Sequence, residues 1–200
     1  DLDDAMKEVL TPANSQLLLI DHQPLPAFAV QSIDRQTLKS NVVALARAAR
    51  LVDVPTTLTC MRSADVAGHL LPELRETLPD HTVLERTAVN AWEEPAVRHR
   101  LADQGRRKLI VAGLWTDTSA VSFGLAARRE ANYEIHVVAD ASGGWIAASA
   151  PRGDRVTFWG ADGLYHGSVE IADGCGVAPA GGPGRFFLSS GRGGLMVYDV

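Results

Sequence analysis

The run KLIVAGLWTDTSAV, residues 108–121, constrains the fold more than any other stretch of the chain. Its first half is a continuous apolar strand, which is stable only where both faces of a sheet are covered. The run breaks at Gly113 and restarts as a helix around Asp117. That is one strand-to-helix step, and the same step recurs upstream. QLLLID (residues 16–21) leads through a Pro-containing loop into residues 34–51, where Leu38, Val42, Leu45, Ala46 and Ala49 repeat at helical spacing. VPTTLTC (residues 54–60) precedes a short helix after Pro72, and TVLER (residues 82–86) precedes EEPAVRHRLADQG, which opens with acids and Pro95 and stops at Gly105. EIHVVAD (residues 134–140) closes the series. Five strands separated by helices predict right-handed crossovers and an α/β, doubly wound (Rossmann-like), mostly parallel sheet with helices on both faces.

Beyond Trp145 the texture changes. IAASAP, RVTFWGADG, LYHGSVEIADG and RFFLSSGRGGLMVYDV are short strand-like runs divided by Gly, Asp and Pro. They predict an antiparallel meander rather than another βα unit. The expected division is an α/β domain over residues 1–145 and an atypical Gly-rich, strand-like segment over residues 146–200.

With 46% hydrophobic and 22% charged residues, the 200-residue chain has the composition of a soluble domain. A formal net charge of −5 gives no electrostatic reason for nucleic acid or an anionic membrane as partner. The two cysteines, Cys60 and Cys175, stand far apart in unlike contexts and suggest neither a disulfide framework nor a metal site. DLDDAMKEVLTPANS lacks the basic and apolar regions of a signal peptide, so a cytoplasmic setting is expected.

Parallel strands bring their carboxyl ends to one edge of the sheet, and small-molecule sites form there. Asp21, His22 and Gln23 follow the first strand, Cys60 ends the second, Glu85 and Arg86 end the third, and residues 115–119 follow the fourth. TPANSQLLLIDHQ, ERTAVNAWEEP, GRRKLIVAGLWTDTSAV and VVADASGG resemble, in this order, the blocks of isochorismatase-like hydrolases, most closely the YcaC-like branch. The resemblance spans residues 11–144. It implies hydrolysis of a small amide, ester or related bond by a Cys nucleophile, an Asp base and a Lys. Asp21 matches the Asp, whereas the Cys position holds Ser119 and the Lys position falls at Glu85 and Arg86.

Asp21, Ser119 and Arg86 are therefore the candidate catalytic residues, with Gln23, Asn90, Trp115, Thr116 and Thr118 as candidate substrate contacts. The alternatives for Ser119 are a ligand contact without nucleophilic role and a plain helix cap. Arg86 suits anion positioning better than proton donation. His22 stands in the order DHQ rather than the D-x-H of zinc-dependent nicotinamidases, so neither metal nor cofactor is expected. The expected partners are a small-molecule substrate and further copies of the chain in a homo-oligomer. The alternative is a non-catalytic homologue that binds a small molecule or forms oligomers with a degenerate triad. APRGDRVTFWGADG and FFLSSGRGGLMVYDV look similar to blade sequences of a bacterial β-propeller family.

Overall fold

The computed structural model describes residues 10–30, 33–62, 67–114, 117–139, 145–150, 154–160, 165–172, 174–180, 183–190 and 193–200. They form two compact units, one within residues 10–133 and the other within residues 134–200.

In the first unit β1 (Ser15–Ile20), β2 (Thr56–Met61), β3 (Val83–Arg86) and β4 (Lys108–Gly113) lie parallel in the order β3-β2-β1-β4. All six residues of β1 are buried. Successive side chains of a strand point to opposite faces, so both faces of the sheet centre are covered. The connections hold α1 (Pro24–Ala29), α2 (Arg35–Leu51), α3 (Pro72–Thr77) and α4 (Pro95–Asp103), and α5 (Ser122–Ala131) follows β4. This is the α/β, doubly wound architecture that the apolar periodicity predicts.

Local chemistry sets the helix ends. The Asp34 carboxylate accepts the Thr37 N–H at 2.9 Å and caps α2. Proline stands in the first turn of α1, α3 and α4, where no backbone donor is needed. Asn132, at φ +56°, ends α5 in the left-handed conformation. Buried Leu38, Val42, Val43, Ala46 and Ala49 form the inner stripe of α2. Among the described residues no helix is long and apolar enough to cross a membrane.

In the second unit β5 (Glu134–Ala139), β6 (Trp145–Ala150), β7 (Arg155–Gly160) and β8 (Tyr165–Glu170) pair antiparallel in sequence order. A separate antiparallel sheet holds β9 (Gly174–Pro179), β10 (Arg185–Ser190) and β11 (Leu195–Asp199). The meander β6-β7-β8 recurs as β9-β10-β11. Arg155 pairs with Glu170 across the first outer hairpin and Arg185 with Asp199 across the second, with ion pairs of 3.2 and 3.0 Å. Asp154 and Gly184, the residues before those arginines, both take positive φ. Their carbonyls accept the N–H of Ile171 and Val200, at 2.7 and 2.8 Å. The recurrence has a period of about 30 residues, within the range typical of structural repeats.

Equivalent positions of the two meanders face one another. Val156 and Phe158 of β7 share a core with Phe186 and Leu188 of β10, and with Ala147 and Ile171. Phe158 stacks on Tyr198 with ring centroids 4.8 Å apart and meets Phe186 at 5.6 Å. Phe158 is 1% exposed. Phe158→Ala should therefore destabilise this unit by about 3–5 kcal/mol, read as faster amide exchange in residues 145–200 with residues 16–113 unchanged.

Candidate active site

The order β3-β2-β1-β4 makes the chain reverse its direction of winding between β1 and β4, and ligand crevices form outside such switch points. Ile20, the last residue of β1, lies in register with Thr59 of β2 and Gly113 of β4. Asp21 follows at φ +56°, with its N–H bonded to the Thr59 carbonyl at 3.0 Å. An aspartate tolerates this conformation better than most residues. The turn it makes is closed by the Gln23 N–H, which donates to the Asp21 carbonyl at 2.8 Å.

The Asp21 carboxylate meets Arg86 from the end of β3. The two terminal guanidinium nitrogens donate to Oδ1 and Oδ2 at 2.9 and 2.5 Å, and the Met61 N–H adds a third bond to Oδ1 at 3.1 Å. Arg86 is 0% exposed. The pair is thus bidentate and buried, the geometry for which the guanidinium fork is suited. Arg86 Nε is buried with no acceptor among the described residues.

Burial lifts the Asp21 carboxyl above the usual carboxylate range, and the Arg86 charge with the Met61 N–H opposes the lift. Burial also lowers Arg86, opposed by Asp21. Cys60 ends up beside the pair: burial, then the charges of Glu85 and Asp21, raise its thiol, against a smaller opposing effect of Arg86. It stays a neutral, buried thiol and behaves as a small hydrophobe.

Ser119 approaches from the other side of the switch point. Residues Asp117–Val121 form a π-helical turn that runs into α5. Such turns concentrate at functional sites. A β-carbon built on Gly113 would lie 3.1 Å from Ser119 Cβ and 3.3 Å from Ile20 Cβ. Glycine is therefore what lets Ser119 settle over the end of β4, next to the strand that carries Asp21. Ser119 is buried.

The remaining candidates divide. The Gln23 amide is engaged within the chain, donating to the carbonyls of Met61 at 3.2 Å and Gly68 at 2.6 Å and accepting the Met61 N–H at 3.1 Å. It clamps the loop after β1 to the end of β2. Asn90 accepts the Trp92 N–H at 3.0 Å and donates to the Ser122 carbonyl at 3.3 Å, tying the start of α5 to the loop before α4. Trp115 and Thr116 lie outside the described residues, as does the side chain of Thr118. Among the described residues no group of three His, Cys, Asp or Glu side chains is placed to hold a metal ion. A cavity of ≈ 560 Å³ opens beside Cys60, lined among others by His69, Arg75, His81 and Glu85.

The Met61 N–H carries no sequence signal, and His22, weighed in sequence only as a metal ligand, is instead a buried ring. The His22 ring is buried with Nδ1 unpartnered among the described residues, and its carbonyl accepts the Leu71 N–H at 2.9 Å. Burial lowers its pKa from the usual 6.5 to about 4.

Residues 15–158 match the isochorismatase domain. The chain belongs to the isochorismatase family. It is 33% identical to "Probable hydrolase YcaC" of Escherichia coli (strain K12) over 131 residues, 65% of this chain and 62% of that protein. The chain thus spans less than two thirds of that relative's length. Among solved structures it resembles the Escherichia coli YcaC gene product, described as an octameric hydrolase of unknown specificity, with a TM-score of 0.60 and 31% identity over 64% of this chain and 63% of that one. Pseudomonas aeruginosa YcaC, solved with hexane-2,5-diol and covalent acrylamide, gives 0.60 and 32% identity over 64% of both chains. The MAR1 ribonuclease of Caenorhabditis elegans shares the fold, with a TM-score of 0.58 and 22% identity over 66% of this chain and 65% of that one.

Two measurements test this site. Asp21→Asn alone leaves a buried guanidinium without a counter-charge and should cost about 3–5 kcal/mol in denaturant unfolding, whereas Asp21→Leu with Arg86→Met should recover much of that loss. The pH test concerns His22. Its folded pKa lies below the unfolded one, so the unfolded chain gains a proton first as pH falls. Stability should be full above pH 6.5 and drop by about 3 kcal/mol toward pH 4. His22→Leu should flatten that limb.

Proposed function

We propose that the chain is a hydrolase of a small amide, ester or related bond, with Ser119 as nucleophile and Asp21 as base. The single observation that carries this reading is the seating of Ser119 over Gly113, beside the strand that ends in Asp21. In the reaction the Ser119 hydroxyl oxygen bonds to the substrate carbonyl carbon while its proton passes to Asp21. The bond to the amine or alcohol then breaks, and the leaving group takes that proton. Water hydrolyses the acyl ester in the reverse sense and regenerates Ser119. Backbone N–H groups of the π-turn Asp117–Val121 can stabilise the oxyanion, because they do not depend on the side chain at position 119.

Burial raises the basicity of Asp21, which favours this role. Arg86 in place of a lysine holds the carboxylate by both oxygens but does not readily donate a proton. It serves as the positioning residue. A second reading, a homologue that binds its ligand without turning it over, is favoured by the same observation, since a carboxylate engaged on both oxygens is a weaker base.

Intact mass after incubation with p-nitrophenyl acetate separates the two readings. The hydrolase should gain one acetyl group, lost in Ser119→Ala, and Ser119→Cys should hydrolyse the ester faster because a thiolate forms more readily than an alkoxide. No adduct in the wild type and no gain in a folded Ser119→Cys would leave the binding reading. The same small-molecule site in a homo-oligomer is the proposed biological form; the octamer described for Escherichia coli YcaC supports it.

A further inference from the structure

The two meanders bury the same face but differ on the other one. On the outward face of the second, Phe187 pairs across the hairpin with Val197, and Ser189 with Leu195. Phe187 is 42% exposed, Val197 47% and Leu195 73%. The equivalent pair of the first meander is Thr157 with Ser168, both half-buried. A polar pair in one copy of the repeat has thus become an apolar, solvent-facing pair in the other. At one end of the apolar stripe the Arg185–Asp199 pair is also exposed, at 52% and 71% of the side chain. Clustered apolar exposure of this kind marks interaction surfaces.

We propose that the outward face of the β10-β11 hairpin docks against the same face of a second copy of this chain. The charge pattern selects that occupant. A two-fold axis parallel to the strands, midway between β10 and β11 and above their outward face, places β10 of one copy over β11 of the other. Residues paired across the hairpin lie at the same height along the axis, so Arg185 of each copy comes over Asp199 of the other and Phe187 over Val197. The patch is therefore complementary to itself in both charge and apolar content. Self-complementarity is what an isologous contact requires. Sheets packed face to face lie about 10 Å apart, which leaves room for one interdigitated layer of Phe187, Val197 and Leu195. The four charges close one end of that layer as two mutually facing ion pairs.

The experiment measures native mass by light scattering on the full chain. Phe187→Thr with Val197→Ser gives the second meander the outward pair of the first, a change that the chain's own repeat shows to be compatible with this fold. It should halve the native mass. Arg185→Asp and Asp199→Arg, each alone, place like charges at the contact and should do the same. Mixed one to one, these two variants should recover the wild-type mass, because the acidic hairpin of one meets the basic hairpin of the other. A native mass unchanged in Phe187→Thr/Val197→Ser overturns the proposal. So does a monomeric wild type, or a mixture that stays at half mass, which would confine Arg185 and Asp199 to a role within their own hairpin.

Discussion

A guanidinium with no exposed surface has to be neutralised where it sits, and for Arg86 the neutralising group is Asp21. This ion pair fixes more than itself. It joins the ends of β1 and β3 across β2, whose Met61 N–H contributes to the same carboxylate. The loop after β1 is thereby held at both its first residue and, through Gln23, its third. Breaking such a pair on one side costs more than replacing it altogether. The carboxylate proposed as the base is thus also a structural element, with burial and Arg86 pushing its pKa in opposite directions.

Ser119 reaches the same edge by a different route. It depends on the absence of a side chain at Gly113 and on a π-turn that redirects the start of α5. The first is a matter of space, the second of backbone winding. Neither involves Arg86, so position 119 and the ion pair can be altered separately. That separability lets Ser119→Cys probe the proposed nucleophile without disturbing the ion pair.

Much of the α/β unit was legible in sequence because its signals are local. Apolar runs give β1 and β4, the period of Leu38, Val42 and Ala46 gives α2, and Asp34, Pro95 and Gly105 mark helix ends. The site was legible as a set of strand ends, since parallel strands must finish together. What the residues do there was less so. Arg86 reads as an anion-positioning cation, and its buried partner, Asp21 of the chain itself, stands 65 positions away. Gln23 reads as a substrate contact until its amide is found on the carbonyls of Met61 and Gly68. The repeat in residues 145–200 is hidden because it conserves pattern rather than identity: Val156 answers to Phe186, Phe158 to Leu188, Asp154 to Gly184. The likeness of both segments to blade sequences hints at it, and the ion pairs and positive-φ turns, which require coordinates, fix its register.

The face-to-face packing of the two meanders has a consequence for how such a tail can grow. In a ring of blades the front of one sheet covers the back of the next, and any number can be added until the circle closes. Here the covered faces are equivalent ones, Val156 and Phe158 against Phe186 and Leu188. Such a contact is saturated by two partners. Among the described residues the packing rule is therefore pairwise: the matching faces already cover each other, and any further sheet would have to make a contact of a different kind.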